Sequence, residues 1–68
     1  MVQIKKWADV RMAVVEAGVT LKAVELEAGF GPGILGRIIG FDPTGKPSDG
    51  KRVIIELAIA TAIEQEAK

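Results

Sequence analysis

The sequence predicts an all-α fold, a compact four-helix domain. Three observations support this prediction. Apolar residues recur at spacings of three and four rather than two, helix-capping residues bound the apolar runs, and 68 residues suffice for one domain spanning 1–68. The apolar content of 49% is ample for a core, while aromatic residues make up only 4%, so aliphatic side chains and alanine must fill it.

The first helix is predicted over residues 5–17. Trp7, Val10 and Val14 recur there at helical spacing and define an apolar face. Trp7 is interpreted as the anchor that packs this helix onto the rest of the domain. Gly18 is expected to end the helix, because glycine readily takes the left-handed conformation of a helix C-terminus.

Two short helices should follow. The second is predicted over 21–28, with Thr20 as its N-cap and Gly29 after its last residue. The third is predicted over 32–39, starting at Pro32, because proline is tolerated at the first helical position.

A loop is predicted over 41–49, and the last helix over 50–66. This last helix is apolar nearly all round, which predicts that it is buried nearly all round. We therefore expect a homodimer that forms through the C-terminal helix. The residues expected at that interface are Ile55, Ile59, Ala62 and Ile63. The alternative is a central core helix wrapped by the other three.

Two short helices joined by a tight glycine-containing turn are typical of a helix-turn-helix, here central in the chain. The chain also resembles the Ner-like group of phage and bacterial regulators, within the lambda-repressor-like class. The resemblance covers about residues 5–60 and rests on spacing and small motifs: Trp7-Ala8-Asp9-Val10, Val19-Thr20-Leu21-Lys22-Ala23-Val24, Ala28-Gly29-Phe30-Gly31-Pro32-Gly33-Ile34-Leu35, and Pro47-Ser48-Asp49-Gly50-Lys51-Arg52-Val53-Ile54-Ile55. It implies sequence-specific binding of duplex DNA by a dimer, with the third helix in the major groove.

On this resemblance the third helix would present mostly glycine to the bases, with Arg37 as its one base-reading side chain. We therefore expect DNA to be contacted mainly through phosphates, held by cationic side chains and by amides at the start of the third helix. The candidate DNA-binding residues are Thr20, Lys22, Gly31, Gly33, Arg37, Lys46, Lys51 and Arg52. The net charge of zero argues against DNA binding, although residues 1–55 hold eight basic and six acidic residues.

Two carboxylates carry specific expectations. Glu25 stands where the family usually has a small residue between the two helices, so its side chain is expected to swing outward or to open the helix pair. Glu56 interrupts an apolar run, and is expected to pair with Arg52 four residues earlier.

The alternative function is a helical protein–protein interaction or oligomerisation module on a helix-turn-helix scaffold that has lost base readout. Regularly spaced glycines on the third helix would permit close contact with a partner helix.

An enzyme is not expected, and neither is a cofactor, a metal site or a small-molecule substrate. The chain has no histidine, cysteine or tyrosine, and Ser48 has no base to activate it. Glycine patterns at 31–36 and 40–47 match nucleotide-binding motifs only in part, since neither follows a strand and Pro47 replaces the hydroxyl residue of a P-loop. No apolar stretch is long enough to span a membrane, and a cytoplasmic location is the expectation.

Overall fold

The computed structural model describes residues 3–66 and contains four helices, which confirms the all-α four-helix prediction. They are α1 (Trp7–Ala17), α2 (Leu21–Ala28), α3 (Ile34–Phe41) and α4 (Asp49–Glu66). The bounds of α2 are as predicted, and α4 begins one residue earlier than expected. The helix α1 begins two residues later, and α3 lies two residues further along the chain at both ends.

The start of α1 is fixed by the loop between α3 and α4. The amides of Trp7 and Ala8 donate to the carbonyl oxygens of Gly45 and Pro43, at 2.9 Å in both cases. The carboxylate of Asp9 accepts the amides of the two preceding lysines at 2.9 and 3.1 Å. These contacts satisfy amides that a helix N-terminus otherwise leaves free, so the helix begins at Trp7 rather than at residue 5.

The core receives one fully buried side chain from each helix. These four residues are Val10, Val24, Leu35 and Ile55. Trp7 is buried in the same cluster, which confirms its interpretation as an anchor. The helix α4 packs most extensively on α2, and no Cα atom of α3 lies within 8 Å of one in α4. The backbones of α3 and α4 are therefore not in direct contact.

Pro32 does not begin α3, so the predicted start of this helix was wrong. The N-cap is Gly33, whose φ of 80° lies in the left-handed region that favours glycine. The amide of Ile34 donates to the carbonyl of Gly31 at 3.2 Å, which closes a turn before the helix starts. The connection from α2 to α3 is therefore longer than the sequence suggested.

One side of α4 faces the core, and this corrects the predicted dimer interface. Ile55, Ile59 and Ala62 are buried within the chain itself, so they are not available to a partner. Ile63 alone of the four predicted residues is exposed, at 41%. The opposite side of α4 carries Val53, Ile54 and Leu57, all exposed; we call these three residues the α4 outer face. One side of α4 is therefore buried in the core, and the other side remains exposed.

Candidate nucleic-acid interface

The α2–α3 pair is built from a capped helix and a short glycine-rich connection. The hydroxyl of Thr20 accepts the amide of Ala23 at 3.1 Å, as expected of an N-cap. Gly29 follows α2 with a φ of 79°, and the amide of Phe30 donates to the carbonyl of Glu25 at 2.9 Å. These contacts hold the start of the connection firmly against the end of α2.

Glu25 is buried between the two helices, and the expectation that it would swing outward was wrong. Its side chain is 4% exposed, and its Oε2 accepts the backbone amide of Leu35 at 2.7 Å. Leu35 lies in the first turn of α3, where amides lack partners within the helix and the helix dipole favours a negative charge. The carboxylate thus joins α2 to the N-terminus of α3 instead of separating the two helices.

This contact also corrects the expected role of the α3 N-terminus. The amide of Leu35 is taken by Glu25, and that of Ile34 by the carbonyl of Gly31. A carboxylate therefore already occupies the position that phosphate was expected to fill. Gly31 and Gly33 remain exposed, but the amides of Ile34 and Leu35 are not available to a phosphate group.

The exposed side of α3 includes Arg37 and Gly40, as the resemblance implied, but it does not include Gly36. Gly36 is half-buried, and a Cβ atom there would lie 3.8 Å from Leu21 Cδ2, so this position faces α2. The exposed side chains are those of Ile34, Arg37 and Phe41, which we call the α3 outer face. Phe41 is 91% exposed.

Sequence reasoning missed Ile34 and Phe41. It gave Ile34 no part in DNA binding and placed Phe41 in the loop. The signal was present in the helical period, because Leu35 and Ile39 point inward and so direct Ile34 and Phe41 outward.

Four of the five predicted phosphate-binding cations are exposed: Lys22, Arg37, Lys46 and Lys51. None of these four forms an ion pair with a residue in 3–66. Their charges are therefore available to a polyanion.

Arg52 is different. Its Nη1 lies 3.1 Å from Oε1 of Glu56, which confirms the predicted pairing, and its Nη2 lies 3.9 Å from Oδ1 of Asp49. Half-buried between two carboxylates, Arg52 contributes little free positive charge.

Three of the predicted residues line depressions in the surface. Lys22 and Pro32 share a small cleft of about 100 Å³ at the connection between α2 and α3. Lys46 and Arg52 line an open groove of about 400 Å³, which Lys5 also reaches. The cleft and the groove have no lining residue in common.

Two further properties of residues 3–66 bear on the function. No three carboxylates in this range are grouped so that they could hold a metal ion. No helix in it has the length and apolar character needed to cross a membrane.

Comparison of the chain with protein-family models, curated proteins and solved structures finds no match. The resemblance to Ner-like regulators therefore stays a prediction that rests on the residues quoted above.

Proposed function

We propose that the chain is a small regulator that binds duplex DNA mainly through phosphate groups. The observation that carries this proposal is a set of exposed, unpaired cations on the α2–α3 pair and in the segment that follows it in the chain. Lys22 and Arg37 lie on the two helices of the motif, and Lys46 and Lys51 follow in the loop and at the start of α4. Contacts of this kind orient a protein on DNA and supply most of its sequence-independent affinity.

The regulator acts as a dimer that forms through the α4 outer face. Leu57 is the most exposed residue of this face, at 63%, and Val53 and Ile54 lie one turn before it. Because the backbones of α3 and α4 are not in contact, a partner on α4 leaves the α3 outer face free for DNA. Burial of exposed aliphatic side chains supplies the driving force for such a dimer.

Salt dependence of binding tests the DNA proposal. With Lys22, Lys46 and Lys51 on phosphates, the slope of log affinity against log salt is about −2.7, or a loss of roughly 40-fold between 50 and 200 mM salt. Arg37→Ala should weaken binding as well. Arg11→Ala is the matched control, since Arg11 is exposed on α1, outside the motif.

Two results would contradict the proposal. One is the absence of binding to duplex DNA at low salt. The other is an equal loss of affinity in the Arg11 and Arg37 variants, because this would show that any surface cation serves and that the α2–α3 pair has no special part in binding.

A second candidate function is a protein–protein interaction module on the same scaffold. The observation in its favour is that large apolar side chains are exposed on every helix. Examples are Val15 on α1, Leu26 on α2, Phe41 on α3 and Leu57 on α4. This candidate predicts a defined oligomer in sedimentation experiments and no binding of duplex DNA at low salt, so the DNA-binding assay separates it from the first candidate.

A further inference from the structure

The α3 outer face carries an apolar, a cationic and an aromatic side chain in a row. Ile34, Arg37 and Phe41 follow one another at intervals of three and four residues, so they lie on one side of the helix. Phe41 is 91% exposed and lies outside the core cluster of the domain. The fold therefore does not explain why an aromatic ring stands at this position.

Base edges in the major groove do offer partners for these three side chains. A guanidinium group can donate two hydrogen bonds to O6 and N7 of guanine, and apolar side chains contact the C5-methyl group of thymine. We propose that the α3 outer face recognises a guanine flanked by thymines, with Arg37 on the guanine and Ile34 and Phe41 on thymine methyl groups. This inference rests on the proposed DNA binding and adds a class of DNA sequence to it.

The dimensions of the helix give the expected spacing of the bases. Seven residues separate Ile34 from Phe41, which corresponds to about 10 Å along a helix. Side chains at such intervals on a helix in the major groove contact successive bases, so the guanine lies between the two thymines.

Charge also favours DNA as the occupant of this face. The segment Ile34–Phe41 contains no acidic residue, and its one charged side chain is the cationic Arg37. Lys22 adds a second exposed cation on the neighbouring helix. A polyanion whose bases carry methyl groups therefore matches both the charge and the apolar character of the face.

Replacement of thymine by uracil tests the inference, because the two bases differ only in the C5-methyl group. The full chain is first used to select its tightest-bound sequence from a pool of short random duplexes at low salt. The selected duplex is then prepared with deoxyuridine in place of thymidine. Loss of each contacted methyl group should weaken binding about fourfold, and loss of both about 15-fold, from about 0.8 kcal/mol per buried methyl-sized group.

Two single variants and the double variant test which side chains contact the thymine methyl groups. Ile34→Ala and Phe41→Ala should each reduce the ratio of thymine to uracil affinity to about fourfold, and the double variant should bind both duplexes equally. Met12→Ala is the matched control, because Met12 is exposed on α1 and should keep the full ratio. All three positions are exposed, so the variants are expected to fold, as circular dichroism would verify.

The inference and the proposed function fail in different ways. Equal binding of both duplexes by the unmodified protein, with DNA binding intact, overturns the methyl contacts and leaves phosphate binding in place. A full ratio that survives in the double variant also overturns them. Absence of binding to any duplex, or binding of an acidic protein through this face instead, overturns both.

Discussion

The buried carboxylate of Glu25 offers the sharpest test of how the α2–α3 pair is held together. Glu25→Ala removes the acceptor of the Leu35 amide and leaves that amide without a partner in a buried position. A hydrogen bond to a charged group contributes about 1.5–3 kcal/mol, and a charge at a helix N-terminus adds roughly 0.5 kcal/mol. We therefore expect the free energy of unfolding to fall by about 2–3 kcal/mol.

Urea unfolding followed by the fluorescence of Trp7, the single tryptophan, measures this change. For a domain of this size, with a slope of about 1 kcal/mol per molar urea, the midpoint should fall by about 2–3 M. Should the alanine variant be too unstable to measure, Glu25→Gln keeps an acceptor oxygen and should lose only about 1 kcal/mol.

Glu27→Ala is the matched control, because Glu27 lies on the same helix and is exposed. It should change stability by less than about 0.5 kcal/mol. Equal stability of the Glu25→Ala and Glu27→Ala variants would show that the Glu25 carboxylate does not hold α2 to α3.

Three further predictions concern the ends of α3 and the outer face of α4. Gly33→Ala should destabilise the chain by about 1 kcal/mol in the same urea assay, because φ at Gly33 is positive. Gly40→Ala should instead stabilise it by up to about 1 kcal/mol, since a Cβ atom there meets nothing within 4 Å and alanine favours the helix; a loss of stability would contradict this. Leu57→Glu should convert the proposed dimer to a monomer in sedimentation experiments, whereas Leu26→Glu, at a still more exposed position on α2, should not; an unmodified chain that is already monomeric would contradict the proposed dimer.

The parts of the fold that follow from local sequence were predictable. The bounds of α2 follow from Thr20 and Gly29, and the Arg52–Glu56 pair follows from a four-residue spacing on a helix. Both depend on contacts between residues that are near each other in the chain. Such contacts can be inferred from a single sequence.

The parts that depend on distant contacts were not predictable. The start of α1 depends on carbonyl oxygens of the 42–48 loop, and the inward position of Glu25 depends on an amide ten residues later. The start of α3 was misplaced because the preference for proline at the first helical position competed with the left-handed conformation of Gly33.

Three of the four residues that the sequence placed at a dimer interface lie on the buried side of α4, and the reason is related. A helix that is apolar nearly all round has no polar face to show which side turns inward. Only the packing of α4 on α2 and α1 distinguishes Ile55 and Ile59 from Leu57. The exposure of the candidate DNA-binding cations was easier to predict, because charged side chains are exposed in most folds.

Hydrogen bonds join the first two residues of α1 to the 42–48 loop, so the amides of these residues are sensitive to a segment that is distant in the chain. The amide protons of Trp7 and Ala8 exchange with solvent only when their bonds to Gly45 and Pro43 open. Their exchange rates therefore measure opening of the loop between α3 and α4 rather than fraying of α1. If DNA holds Lys46 in that loop, exchange at residues 7 and 8 will slow, although neither residue touches the nucleic acid.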